Sequence, residues 1–378
     1  PCTTTIPVYQ WLNAVDHGHE MTATNAGITG ADKLGTDIRF IWNYAGNCIT
    51  NQHGDINKVD EILNSKSDED LFIVGWDTVM TDSLRYSDII LPDAMRCEQY
   101  NMYTQGYSEY YIGLKVGTPA QEAPGECRSS YDVCTELAKR FGVEKEFTEG
   151  RTHDEWVKYL YENNYAAEAG IELPSWDEFV EQGVFKKELP PCIGFEAFRK
   201  DPVKNPLGTP SGKIEIYSED LAKIRDTWDL EPGTVEPIPF FDPGFESYQD
   251  ISDEYPLLIQ GYHYKAHTHS SYANNQIVQD AAPHFAWMNP ADADARGIKD
   301  GDTVKVFNER GEIRILAKVT PRAMPGHVFI PQGSWHDADM FGDRIDRGGC
   351  INTLTIAKPT PLGKCNPQHS NIGQVEKA

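Results

Sequence analysis

Apolar and polar positions follow two textures along the chain. Residues 37–44 (DIRFIWNY) are rich in β-formers and run into Ala45-Gly46-Asn47, which predicts a buried strand ending in a turn. A helix should follow, because Asp55 can cap a segment in which Ile56, Val59, Ile62 and Leu63 keep helical spacing. Residues 70–76 (DLFIVGW) form a second near-continuous apolar run, and residues 88–92 (DIILP) a third. Strand, helix, strand, short strand predicts an α/β fold with a parallel sheet. Ligands of such sheets sit beyond the carboxyl ends of the strands, which places Asn43, Asn47 and Asp77 on the functional edge. Tyr131, Cys134, Leu137, Ala138 and Phe141 predict an amphipathic helix over 130–141, stopped by Gly142. From about 148 to 248 the pattern breaks into short helices, such as 152–161, between Pro- and Gly-rich connections. Within that region the alternation at 211–218 (SGKIEIYS) predicts a half-buried strand. After Tyr255 the texture turns β-rich, with strands predicted at 257–262, 303–308, 312–319 and 327–331 and a hairpin turn at Asn308-Glu309-Arg310-Gly311.

Composition narrows this picture. A chain of 378 residues is too long for one core and implies two or three domains. No apolar run approaches the roughly 20 residues of a membrane-spanning helix, which predicts a soluble globular protein. The formal charge of −24 repels phosphate backbones and argues against nucleic acid as a partner. The eight cysteines are scattered without a C-x-x-C pair, so their spacing gives neither a zinc nor an iron–sulfur site, and reduced or buried thiols are expected over disulfides. Pro1 reads as a fragment boundary, with no leader in this chain.

The phrases that follow carry a resemblance. Asn289-Pro290, Asp292-Ala293, Arg296-Gly297-Ile298, Asp300-Gly301-Asp302 and Val304-Lys305-Val306 occur in order, followed by Pro325-Gly326, Gly333-Ser334-Trp335, Gly348-Gly349-Cys350, Asn352-Thr353-Leu354-Thr355 and Gln368-His369. This series resembles the molybdopterin-dinucleotide-binding domain that closes the dimethyl sulfoxide reductase family of molybdopterin oxidoreductases. Upstream, residues 42–48 (WNYAGNC), Met80-Thr81 and residues 86–92 (YSDIILP) resemble the family's third domain. The resemblance covers nearly the whole chain and is strongest to the C-terminal half of the catalytic A subunits of the anaerobic, membrane-associated reductases.

Three domains follow: an α/β, Rossmann-like dinucleotide-binding domain at 1–147, part of a larger oxidoreductase domain; a mixed α/β connecting region at 148–254; and a six-stranded double-psi β-barrel at 255–378. The resemblance implies molybdenum bis(molybdopterin guanine dinucleotide) as cofactor, cycling between Mo(VI) and Mo(IV) in oxygen-atom transfer from a sulfoxide or N-oxide during anaerobic respiration. It implies a 4Fe-4S cluster and a serine ligand to molybdenum in the missing N-terminal half of the polypeptide. It also implies an iron–sulfur electron-transfer subunit, a membrane-anchor subunit, and a place on the extracytoplasmic, periplasmic face of the membrane. No catalytic residue is assigned to this chain. The alternative is a non-catalytic cofactor-binding or structural module, inactive by itself.

Matched by position, Asn43, Asn47, Trp76, Asp77, Gln99 and Asp132 correspond to dinucleotide contacts of the first domain. An aspartate after a strand can accept two guanine N–H bonds, and equally can cap a helix or form a turn. In the last domain the stretch GYHYKAHTHSS at 261–271 offers His, Lys and hydroxyl donors to pyrophosphate and pterin, with His269, Ser270 and Lys265 singled out. A metal there is disfavoured, since no carboxylate or cysteine lies nearby and His267 and His269 would face opposite ways on a strand. Asn352 and His369 match later contacts, and Trp335 either closes the pterin pocket or packs in the core. Asp292, Arg296, Asp300 and Asp302 suit capping and turn chemistry, and the acidic runs 68–70 and 252–254 suit solvated faces.

Overall fold

The computed structural model describes residues 3–67, 71–104, 111–163, 171–188 and 190–378. By proximity of Cα atoms the chain forms two compact units, one of Pro1–Gly75, Met80–Ile90 and Ile216–Ala378, the other of Trp76–Val79 and Leu91–Glu215. Both are discontinuous in sequence, so grouping by contact does not follow the linear division at 147 and 254.

In the first unit, helix α1 (Trp11–His17) and helix α2 (Ile56–Ser67) pack on the strands β1 (Phe40–Tyr44) and β2 (Phe72–Asp77). Leu12, Val15, Ile49, Val59, Leu63, Leu71 and Ile73 form their shared core. The helix starts where the sequence predicts: Asp55 adopts φ +52° and its carboxylate accepts the Lys58 N–H at 3.2 Å. With β3 (Ile89–Pro92) these strands make a three-stranded sheet in the order β1-β2-β3. The predicted acidic run at 68–70, with the first residue of the second apolar run, lies outside the described residues.

The barrel of the first unit is closed and six-stranded, in the order β10-β8-β11-β7-β12-β9. Its strands are β7 (Leu257–Tyr262), β8 (Phe285–Met288), β9 (Thr303–Asn308), β10 (Gly311–Val319), β11 (His327–Pro331) and β12 (Asn371–Lys377). β10 pairs with β8 and β11 with β7 in parallel, while the remaining pairs are antiparallel. Alternation explains the interior: Leu257 and Ile259, Ala286 and Met288, Val304 and Val306, and Ile313, Ile315 and Ala317 all point into one core. β9 and β10 meet through the predicted two-residue turn, with Asn308 opposite Gly311. The family-phrase residues have structural jobs, as their chemistry suggests. Asp292 accepts from the Gly326 N–H at 2.8 Å, Arg296 donates to Gln374 at 3.1 Å, Asp300 accepts from Val319 N–H at 2.9 Å, and Asp302 from Lys299 N–H at 2.9 Å.

The second unit holds a sheet in the order β4-β5-β6, from β4 (Asn101–Thr104), β5 (Tyr111–Gly117) and β6 (Val184–Glu188). Helices α3 (Ser130–Phe141), α4 (His153–Glu162) and α5 (Trp176–Gln182) accompany it, and Tyr161 stacks on Phe179 at its centre. Gly142 ends α3 in the left-handed region, as the sequence predicts.

One predicted strand is wrong. Residues 211–218 form no strand; Ile214, Ile216 and Tyr217 are exposed, and the segment curls on itself. Gly212 takes φ +69°, its N–H bonds to Thr209, and Ser211 N–H donates to the Glu215 carboxylate at 2.7 Å. These local bonds satisfy the backbone that a ladder would otherwise use, and Ser218 then caps helix α6 (Glu219–Thr227). Residues 252–254 are exposed, as a solvated face should be. Among the described residues Cys48, Cys97, Cys127, Cys134, Cys192, Cys350 and Cys365 form no disulfide, and no helix is long and apolar enough to cross a membrane.

Candidate functional site

Within the first unit, the loops that follow β1, β7 and β11 converge on a cavity of about 380 Å³. Asn47 and Asn51 line it from the helical turn Cys48–Asn51, His269 and Ser270 from the loop after β7, Gln332 and Gly333 from the loop after β11, and Asn352, Asn366 and Gln368 from the chain before β12. The two barrel loops are locked together. Trp335 donates its indole N–H to the Ser270 carbonyl at 2.9 Å, and the Gln332 amide meets His269 Nδ1 at 3.1 Å. His269 adopts φ +48° and Gly333 φ +88°, and a side chain at Gly333 would strike the His269 carbonyl.

Behind them His267 Nε2 lies 2.7 Å from His284 Nε2, whose Nδ1 lies 2.7 Å from Ser334 Oγ. Burial lowers the pKa of both rings, that of His284 to about 4, which leaves the pair neutral. His267 meets His284 and His269 meets Gln332, and both lie in a loop beyond the end of β7 rather than on the expected strand. Among the described residues no group of three or more His, Cys, Asp or Glu could hold a metal ion.

The cavity wall is marked by amides with unmet hydrogen bonds. Asn47 Oδ1 accepts from Ser83 N–H at 3.2 Å, Ser83 Oγ at 2.5 Å and Thr50 Oγ1 at 3.2 Å, while its Nδ2 has no partner in the protein. Asn352 donates Nδ2 to the Thr50 carbonyl at 3.2 Å and leaves Oδ1 bare. Asn51 Oδ1 and Asn366 Oδ1 are likewise buried and unpartnered. Each such atom costs about 1–3 kcal/mol unless something meets it. Asparagine side chains in such a wall can offer both N–H and C=O groups to a planar heterocycle.

Four of the predicted residues therefore meet here: Asn47, His269, Ser270 and Asn352. Trp335 stands behind them as the clamp on Ser270. Asn43, on β1, is buried and its Nδ2 is unpartnered, but it is not part of the cavity wall. Lys265 is exposed and lines none of these surfaces. His369 lines an adjoining cavity of about 520 Å³ that shares Asn366 and Gln368 with the first.

The other four predicted residues lie in the second unit, strung along one backbone path. Trp76 is buried, and Asp77 accepts from Thr78 N–H at 2.7 Å, which is the turn chemistry open to it. The Asp77 carbonyl accepts from Asp93 N–H, and Ala94 N–H donates to the Arg128 carbonyl. Gln99 donates to the Ala94 carbonyl at 3.0 Å, and Asp132 shares reciprocal bonds with Ser129, the cap of α3. Missed from sequence as wall residues were Asn51, Gln332, Gly333 and Asn366. The N-C-I-T-N run at 47–51 hinted at the first and the Gly333-Ser334-Trp335 phrase held the third; nothing local marked the others.

Two family models match the chain: molybdopterin oxidoreductase over residues 11–140 and molydopterin dinucleotide binding domain over residues 257–372. The chain belongs to the molybdopterin oxidoreductase family. It is 50% identical, over all of its length, to the probable dimethyl sulfoxide reductase chain YnfF of Escherichia coli (strain K12), covering 47% of that protein. It is 48% identical to the dimethyl sulfoxide reductase DmsA of the same organism, covering 46% of it. Against the dimethyl sulfoxide/trimethylamine N-oxide reductase of Cereibacter sphaeroides it is 34% identical over 92% of the chain and 42% of that protein. The chain thus spans about half the length of the curated relatives it matches. Among solved structures, acetylene hydratase from Pelobacter acetylenicus superposes on 99% of the chain and 51% of its own, with a TM-score of 0.65 at 20% identity, a likeness of fold alone. The 257–372 match spans the barrel strands β7 to β11 and the cavity wall from His269 to Gln368, and the 11–140 match holds the wall residues Asn47 and Asn51.

Proposed function

We propose that this chain is the cofactor-holding half of an enzyme that reduces a sulfoxide or N-oxide, dimethyl sulfoxide first among them. The observation that carries the reading is the convergence of Asn47, Asn51, Asn352 and Asn366, each with a buried unpartnered amide atom, on one cavity whose wall draws on both matched regions, 11–140 and 257–372. The pterin end of a molybdopterin guanine dinucleotide would lie against these amides, with Ser270 and the 332–333 backbone beside it. When bound, the molybdenum cofactor would supply oxygen-atom transfer, in which two electrons from an electron-transfer partner and two protons from solvent convert the sulfoxide to a sulfide and water. Asn43, Asp77, Gln99 and Asp132 are proposed contacts to the nucleotide end, with Asp77 taking the guanine N–H groups. This chain's residues bind and orient; the resemblance puts the molybdenum ligand in the rest of the polypeptide.

The finer parts of the reading rest on the resemblance. They are the paired guanine dinucleotides, the Rossmann-like parallel sheet and double-psi winding, a 4Fe-4S cluster in the preceding half, electron-transfer and membrane-anchor partners, and an extracytoplasmic site in anaerobic respiration. The test is mass spectrometry of the denatured full-length enzyme, with metal analysis and turnover across sulfoxides and N-oxides. Molybdenum, a pterin guanine dinucleotide and sulfoxide turnover are expected, and Asn352→Leu should reduce cofactor content. Full-length enzyme without molybdenum or pterin would overturn the reading.

A further inference from the structure

Asp82 separates the amide-lined cavity from a second one. This outer cavity, about 430 Å³, lies in the same unit and is lined by Asp82, Tyr86 and His336 together with Leu63, Ile73 and Phe341. The Asp82 side chain is only 2% exposed, and its two oxygens do different things. Oδ2 accepts three bonds: from Thr50 Oγ1 at 2.7 Å, from Asn51 Nδ2 at 3.1 Å and from the His336 backbone N–H at 2.6 Å. Asn51 lines the inner cavity, Thr50 holds Asn352 through its carbonyl, and His336 ends the loop that carries Gln332 and Gly333. Oδ1 is buried without a partner.

We propose that Asp82 is a positioning residue for the inner cavity: Oδ2 sets Asn51, Thr50 and the 332–336 loop, and Oδ1 takes up a proton by way of the outer cavity, which loosens that hold. The reasoning is electrostatic. Hydrogen bonds to a carboxylate are roughly twice as strong as those to a neutral acid, so all three Oδ2 bonds weaken together when Oδ1 is protonated. Burial raises the Asp82 pKa, while the Thr50 and His336 donors and the nearby Asn47 amide act in the opposite sense, because they favour the charged form.

The surrounding charges do not neutralise it. Asp60 on α2 is taken by Arg344 at 3.1 Å, Arg85 turns toward Asp337 at 3.7 Å, and Asp88 accepts from Ile73 N–H at 2.7 Å. His336 is held neutral, its pKa lowered to about 4 chiefly by burial, and its Nε2 is unpartnered. Tyr86 and Asp339 also line the outer cavity, and the Cys350 thiol is raised by burial first, then by Asp346 and Asp82.

The proposal rests on the cofactor reading only for what the inner cavity holds, and its test needs no cofactor. Hydrogen exchange of this chain, read by mass spectrometry at peptides covering residues 47–52 and 332–338, would be followed from about pH 4, the ordinary carboxylate range, up to about pH 8 and corrected for intrinsic exchange. Protection should rise with pH by roughly tenfold through a single midpoint. Asp82→Asn should hold exchange near the low-pH rate at every pH. Thr50→Val, which keeps the carboxylate but removes one donor to it, should move the midpoint upward. Protection that is independent of pH in the unaltered chain, or a pH dependence that survives Asp82→Asn, overturns the proposal and leaves the cofactor reading untouched.

Discussion

At the scale of single residues, Gly333 shows how the cavity is made. Its φ of +88° is open to glycine, and its Cα abuts the His269 carbonyl, so the two barrel loops can close on each other only if no side chain intervenes. Gly333→Ala should therefore cost at least about 2 kcal/mol, the sum of backbone strain and a clash with main chain that cannot move aside. Gly326→Ala is the control: it has φ +77° and nothing within 4 Å of an added methyl group, so it should cost about 1 kcal/mol. Urea unfolding of the two variants measures the difference, and equal costs would show that the loop contact yields. At this scale the sequence was partly legible. Asn47, His269, Ser270 and Asn352 could be named because they sit in phrases with a family resemblance. Asn51, Gln332 and Asn366 could not, since what marks them is an unmet hydrogen bond or a neighbour far along the chain, and neither leaves a local pattern.

At the scale of elements, hydrophobic periodicity located strands β1, β2, β3, β7, β9, β10 and β11 and helices α2 and α3 to within a few residues. It failed at 211–218, where Gly212 and two side-chain bonds turn an alternating segment into a coil. Strands β8 and β12 were legible only as members of a six-stranded barrel, because four- and seven-residue runs containing Trp287 or Gly373 show little alternation alone. Two connections to these elements carry predictions. Arg310, at the β9–β10 turn, makes a two-pronged pair with Glu246 at 2.6 and 2.8 Å, and Glu246 also accepts from Ile372 N–H at the start of β12. Glu246→Ala should cost up to about 3–5 kcal/mol, since it leaves a buried guanidinium with only the exposed Glu309 carboxylate and the Leu354 carbonyl, and Glu246→Gln clearly less; calorimetric unfolding would separate them. His284 precedes β8 and stays neutral, its pKa pushed down to about 4 by burial and then by His267. A base whose folded pKa is depressed stabilises the fold above its unfolded value near 6.5, and that stability is lost as pH falls toward 4. Between about pH 7 and pH 4.5 the unaltered chain should thus lose roughly 2–3 kcal/mol more than His284→Gln in urea titrations. Equal losses would place the acid sensitivity elsewhere.

At the scale of the whole molecule, neither compact unit could be read from the sequence, because each is assembled from separated stretches and contacts have no linear signature. What was legible is the mismatch between surface and length. Large apolar side chains stand in water at several places: Phe341 is 100% exposed, and Phe141, Val203, Phe241 and Ile277 are all mostly so. Scattered single exposures need no explanation, but Ile214, Ile216 and Tyr217 fall together in one segment, and Phe341 projects at the rim of the outer cavity. Curated relatives are about twice as long as this chain, so the remainder of such a polypeptide is the natural cover for these positions. Carbene footprinting of this chain beside the full-length protein tests this directly. Phe341 and the 214–217 segment should label strongly in the chain and be protected in the longer protein. The solvated acidic run at 252–254, which offers no apolar surface to bury, should label equally in both. Protection spread evenly over all exposed positions would point instead to self-association driven by the apolar surface, a possibility opposed by the charge of −24, which disfavours close approach of identical copies.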